Sequence, residues 1–213
     1  MAEYQLYCFA QSGNAYKTAL MLKLLGADWE PVFVDFFKGE TRGAEYRAKV
    51  NEMGEVPVLV HGGMQLSQTG AILTYLSEKW GRFGGADERA RLEILRWILF
   101  DNHKFTSYLA TYRFFTAFVK PLDPAVMEFL RGRINGALGI VAKHLQAQPF
   151  IVGDEPTIAD FSLCGYLFFP AEEFGFEIAA EHPSIAAWLD RIKALPGWTH
   201  PYELMPGHPL PKG

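Results

Sequence analysis

Val56-Pro57-Val58-Leu59, then Gly62-Gly63, then Leu66-Ser67-Gln68-Thr69-Gly70-Ala71-Ile72-Leu73 is the most informative stretch of this chain. Proline has no N–H to give to a sheet ladder, so Pro57 belongs at the entry of a strand. Two glycines between two apolar runs are the strongest hairpin signal in the sequence. A short second strand then runs into a helix that opens on small polar side chains. Such a junction presents main-chain groups, a hydroxyl and an amide to one small, zwitterionic, peptide-like ligand.

Working outward, Tyr4–Phe9 reads as a strand, Asn14–Leu25 as a helix closed by Gly26, and Trp29–Val34 as a second strand. A short helix over Ala44–Val50 precedes the hairpin strands Val58–His61 and Met64–Leu66, and Ser67–Trp80 is the next helix. The order βαβ-α-ββα predicts a mixed α/β sheet, parallel across the crossover and antiparallel at the hairpin. Gly81-Arg82-Phe83-Gly84-Gly85 is a linker, after which the pattern is helical only: 87–119, 124–148, 157–171 and 184–195. The expected organisation is therefore a ligand-binding domain over 1–80, a linker over 81–86 and an all-helical domain over 87–213.

With 213 residues, 49% hydrophobic and 21% charged, the chain has ample material for such cores. A formal net charge of −4, with basic residues scattered, argues against nucleic acid or an anionic membrane as the main partner. No apolar run reaches the roughly 18 residues a membrane span needs, and no secretory leader is visible. The two cysteines, Cys8 and Cys164, form no C-x-x-C pair, and the six histidines show no metal-ligand spacing. A reducing, cytoplasmic setting without a metal is the expectation.

Leu6-Tyr7 with Ser12-Gly13-Asn14 and Lys17, Asn51-x-x-Gly54-x-Val56-Pro57, and the Gln68-Thr69 helix start resemble the cytosolic glutathione transferases, theta-like and bacterial members especially. Thr157-Ile158-Ala159-Asp160 and His182-Pro183-x-Ile185-x-x-Trp188 are similar to later motifs of that family, so the likeness runs over about residues 4–198. The resemblance implies a thioredoxin-like first domain, a helical second domain, a homodimer, and glutathione as co-substrate with no further cofactor. It implies a cis bond before Pro57, with the Val56 main chain pairing the cysteinyl backbone. Gln68 and Thr69 would hold the γ-glutamyl group, with Asp101 adding an acceptor for its ammonium. Phe100, His103 and Tyr166 would wall the pocket of an apolar electrophile. The chain departs from the family where Asn51 is followed by Glu52, and where Met53, Gly54 and Glu55 replace basic residues. Arg42, beside Thr41, is then the cation expected to meet the remaining carboxylate.

The chemistry required is modest. A free thiol with a pKa of about 8.5 is only a few per cent ionised at neutral pH, and lowering that by about two units takes about 2.7 kcal/mol of anion stabilisation. One hydroxyl donor together with a helix N-terminus is of that size. Ser12, just ahead of the first helix, is the candidate donor, with Asn14 as a second. Both are also favoured helix caps, and capping alone accounts for them on pattern. Tyr7 and Tyr4 compete for the role, although Tyr7 falls within a strand. Lys17 reads either as a solvated surface lysine or as a cation neutralising a ligand carboxylate or an acidic neighbour. The activity implied is conjugation of glutathione to apolar electrophiles. Glutathione-dependent reduction of disulfides or peroxides, or binding without catalysis, are the alternatives.

Overall fold

In the computed structural model, which describes residues 2–119 and 122–209, the first strand β1 (Tyr4–Cys8) lies inside a four-stranded sheet. It pairs in parallel with β2 (Trp29–Phe33), and antiparallel with β3 (Val58–His61), which pairs antiparallel with β4 (Met64–Ser67). The order β2-β1-β3-β4 is the mixed sheet expected from the sequence. Pro31 sits on edge strand β2, where a missing N–H costs no ladder bond on the open side.

Helix α1 (Gly13–Leu25) is buried on almost every face, through Ala15, Tyr16, Ala19, Leu20, Met21 and Leu22 among others. It stops at Gly26, whose left-handed φ of 70° lets its N–H close onto Leu22 and Lys23. After the short α2 (Ala44–Lys49), α3 (Thr69–Trp80) packs beside α1 through Ile72, Leu73 and Leu76.

Of the described residues, 2–82 and 195–209 form one compact unit and 83–194 the other. The stretch from 195 onward thus packs with the first unit, not with the helical domain to which the pattern assigned it; residues 210–213 of that expected domain lie outside the described residues. The reason is local bonding: the Tyr16 hydroxyl donates to the Thr199 carbonyl at 2.9 Å, and the Ala10 N–H to the Pro206 carbonyl at 2.8 Å.

In the second unit, the helical stretch expected over 87–119 runs without interruption from Glu88 to Phe118, but its middle is wound differently. Helix α4 (Glu88–Phe100) and helix α5 (Thr106–Phe118) are separated by a π-helical segment, Asp101–Phe105. The wider turn carries Asp101 inward, where its carboxylate accepts from the Thr106 and Ser162 hydroxyls, each at 2.6 Å. Helix α6 (Pro124–His144) follows, then α7 (Ile158–Cys164), α8 (Ile178–Glu181) and α9 (Pro183–Lys193). Helix α7 is much shorter than the 157–171 expected, because it ends at Gly165 ahead of Pro170.

The Thr157–Asp160 capping box is present. The buried Asp160 carboxylate also accepts from the Ile151 N–H and the Trp188 indole, both at 2.8 Å. Asp160 is a keystone of this unit.

Candidate functional site

The register of the sheet brings three separate segments to one end of it, across the strand termini. Tyr7 at the end of β1 pairs with Val58 at the start of β3, and Val58 pairs with Ser67 at the end of β4. The chain leaving β1, the chain entering β3 and the chain leaving β4 therefore lie side by side. They carry Ser12, Val56-Pro57 and Gln68-Thr69 respectively.

A tight turn, closed by the Ser12 N–H on the Phe9 carbonyl at 3.0 Å, delivers Ser12 to the start of α1. Its side chain caps the helix, Oγ accepting from the Ala15 N–H at 3.1 Å. Asn14 lies in the first turn, half-buried, and its Oδ1 is buried with no hydrogen-bond partner among the described residues. Rotating that amide end for end would offer a donor at the same point.

Tyr4 is ruled out by position. It pairs with His61 at the opposite end of β1, and its hydroxyl accepts from the Trp80 indole. Tyr7 is half-buried within the strand.

Lys17 corrects an expectation. It is fully buried in α1 and is not without a partner, so it is neither a solvated lysine nor able to meet a ligand carboxylate. Of its three readings, only an interaction inside the fold is left.

The Val56–Pro57 peptide bond is cis. Val56 precedes β3 and takes no part in its ladder pairs. The entry to this bond is held tightly: the Glu55 carbonyl accepts from the Asn51 amide and from the Tyr46 hydroxyl, each at 3.0 Å. Gly54, with a φ of 69°, lies where a Cβ would stand 2.7 Å from the Thr41 carbonyl, so this loop rests against the turn Glu40–Arg42. Thr41 is buried there and Arg42 exposed, while the Arg47 guanidinium lies against the same loop and donates to the Glu52 carbonyl at 2.9 Å.

Gln68, not Ser67, is the cap residue of α3; Ser67 ends β4 instead. The Gln68 backbone sits at a φ of 68°, a left-handed conformation that costs a non-glycine residue about 1–3 kcal/mol. Its exposed side chain is anchored, Nε2 donating to the Glu55 carboxylate at 3.0 Å and lying 3.4 Å from the Met53 sulfur. With the amide nitrogen engaged, the amide oxygen is left to accept from a ligand. Thr69, buried, opens the helix. Glu55 and Tyr46 are contributors that the sequence reading did not assign; the acidic departure at position 55 was the available signal.

The remaining candidates belong to the helical unit. Asp101 is fully buried, with both carboxylate oxygens taken by hydroxyls of its own unit, so the expected contact with the glutamyl ammonium is withdrawn. Phe100 is half-buried, edge-on to Trp97 at 5.5 Å, and His103 is exposed on the π-helical segment. Tyr166 is buried, 6.0 Å from both the Phe169 ring and the Arg113 guanidinium. It has too little open face for a pocket wall.

Neither cysteine is exposed. Burial pushes the Cys8 thiol up to about 12, and Cys164 is buried in α7. Among the described residues there is no group of three or more His, Cys, Asp or Glu side chains placed to hold a metal ion. No described helix is long and apolar enough to cross a membrane.

Residues 2–78 match the family model for the glutathione S-transferase N-terminal domain, and residues 124–191 that for the C-terminal domain. Glutathione S-transferase 3 of Zea mays is 28% identical, the match covering 99% of this chain and 98% of that one. The crystal structure of a glutathione S-transferase from Pseudomonas fluorescens is 32% identical with a TM-score of 0.86, covering 94% of this chain and all of that one. The glutathione transferase URE2P6 of Phanerochaete chrysosporium, solved in complex with oxidized glutathione, is 27% identical with a TM-score of 0.85, covering 95% and 96%.

Proposed function

This chain belongs to the glutathione S-transferase family, and from that premise we propose that it binds glutathione across one end of the sheet, holds the thiol as thiolate beside Ser12, and transfers it to apolar electrophiles. The convergence of Ser12, the cis Val56–Pro57 bond and the Gln68-Thr69 helix start at that end of the sheet carries the proposal. Each segment supplies what a different part of the tripeptide needs. The Ser12 hydroxyl and the α1 N-terminus stabilise sulfur, with Asn14 beside them. The Val56 main chain pairs the cysteinyl unit as an added strand would. Thr69 and the start of α3 take the γ-glutamyl carboxylate, and the Gln68 amide oxygen takes the ammonium. Arg42 is assigned the glycine carboxylate.

Catalysis on this reading is thiolate stabilisation plus proximity to a bound electrophile, with Phe100 and His103 the side chains assigned to the latter. We assign a homodimer as well. Leu92, Leu95 and Leu99 recur at helical spacing along α4 while 60%, 48% and 59% exposed, an apolar stripe that supports burial against a second copy. Detoxification in the cytoplasm is the role this chemistry fits.

A second reading has its own support: URE2P6 was solved with oxidized glutathione. Because Cys8 and Cys164 are buried, disulfide reduction here would use two glutathione molecules. The first thiolate attacks the disulfide and expels one thiolate; the second resolves the mixed disulfide and leaves as oxidized glutathione.

Titrating the ultraviolet absorbance of bound glutathione thiolate, alongside one chloroarene conjugation assay and one disulfide-reduction assay, separates these readings. Thiolate at neutral pH with conjugation supports the first. Thiolate with disulfide turnover only transfers the assignment to the second, and absence of thiolate at neutral pH leaves a binding module.

A further inference from the structure

The turn that delivers Ser12 is gripped by a segment 197 positions further along the chain. The Ala10 N–H donates to the Pro206 carbonyl at 2.8 Å. The Gln11 side-chain amide forms a reciprocal pair with the backbone of His208: Nε2 donates to its carbonyl at 2.7 Å, and Oε1 accepts from its N–H at 3.1 Å. The His208 ring lies against Phe9, Phe33 and Phe37, with centroids at 5.7, 5.1 and 4.5 Å, and its Nδ1 stands 3.6 Å from Asp35. Gly207 rests directly on the turn, where an added Cβ would be 2.7 Å from Ala10 Cβ. All three residues ahead of Ser12 are thus held from one side, and only glycine permits the approach.

We propose that Pro206–His208 is a positioning strap for the Ser12 hydroxyl, so that the acidity of bound glutathione depends on this distant segment being seated. The proposal rests on Ser12 acting as the sulfur donor. The physical basis is geometric. A hydrogen bond weakens steeply as its angle opens and its length grows. Ser12 approaches the ligand on a turn whose two central residues, Ala10 and Gln11, are both bonded to the strap. Backbone groups do the gripping, and the His208 ring serves as the anchor that seats them. None of these residues touches the ligand; each acts through the position of Ser12.

The test is the pH titration of bound glutathione thiolate in the full chain for Gly207→Ala, His208→Ala and His208→Phe, with Ser12→Ala alongside and the melting temperature recorded for each. Gly207→Ala and His208→Ala are expected to raise the thiol pKa by about one unit, a roughly threefold smaller thiolate fraction at neutral pH when the starting pKa is about 6.5. His208→Phe keeps an aromatic anchor and the backbone bonds, so it should titrate close to wild type. A lowered melting temperature with an unmoved thiol pKa in both Gly207→Ala and His208→Ala would show a purely structural segment and overturn the strap. If Ser12→Ala itself leaves the titration unmoved, the serine assignment fails and the strap fails with it. If Ser12→Ala moves it and the strap variants do not, the strap alone is refuted.

Discussion

Replacing Asp101 separates a structural carboxylate from a ligand-binding one. In the fold it is fully buried, and each oxygen receives a short hydroxyl bond, from Thr106 and from Ser162. Hydrogen bonds to a charged group contribute about 1.5–3 kcal/mol each, and a buried hydroxyl stripped of its partner costs about 1–3 kcal/mol. These figures overlap, since each bond is lost only once, so Asp101→Ala should cost about 3 kcal/mol. At about 2–4 °C per kcal/mol for a chain of this size, the melting temperature should fall by about 10 °C. Asp101→Asn keeps one acceptor oxygen and turns the other into a donor that the second hydroxyl can accept, so about half the loss is expected. Thermal melts and steady-state kinetics on the same samples decide the matter. Below the melting range, KM for glutathione should match wild type in both variants. A several-fold rise in KM with an unchanged melting temperature would mean that the carboxylate meets the ligand, and the assignment of Asp101 to the interior would be wrong.

Ser12→Ala should raise the pKa of bound glutathione by about one to two units and lower kcat about 3- to 25-fold at neutral pH, with the deficit shrinking as pH rises. The same variant loses a helix cap worth about 1 kcal/mol, which a urea melt would register separately. Glu55→Ala frees the Gln68 amide from its anchor, so KM for glutathione should rise about 3- to 10-fold with kcat little changed. A fall in kcat at constant KM would contradict that role. Cys8, buried in β1, should resist a thiol-specific alkylating reagent in the native protein and react once it is unfolded. Since folding raises this thiol from its ordinary 9.0 to about 12, its contribution favours the fold below about pH 9 and is lost as pH climbs toward 12. Fast native labelling at pH 8 would refute the burial argument.

What the sequence disclosed and what it hid follow from how far each signal travels along the chain. Gly62-Gly63 announced its hairpin because its requirement for positive φ is met by those residues themselves. Gln68 shares a positive φ, yet nothing in its own chemistry asks for one; Glu55 and Met53, 13 and 15 residues earlier, hold its side chain. Lys17, fully buried in the fold, reads on pattern as either a solvated or a paired cation, because burial is decided by partners that periodicity does not register. The π-helical winding between α4 and α5 is invisible for the same reason. Asp101 is drawn in by Ser162, 61 positions away, and no proline or glycine marks the place. The segment from 195 to 209 was assigned to the helical domain because it follows helices, whereas Tyr16, Ala10 and Gln11 bind it to the first unit.

Capping and thiolate stabilisation compete for Ser12 only while a side chain is granted one task. A hydroxyl has an acceptor side and a donor side, and the cap uses only the former, receiving the Ala15 N–H. The proton on Oγ is left to donate to sulfur, and a hydroxyl that already accepts a hydrogen bond is polarised toward being a better donor. The first amides of α1 have no partner within the helix, because its first backbone bond runs from Tyr16 back to the Ser12 carbonyl. They add positive potential at the same point. The cap therefore fixes the hydroxyl's direction as well as the helix start. A variant that preserves the cap but misdirects the proton should keep the fold and lose the thiolate, which is why the turn from Phe9 to Ser12 is the place to perturb.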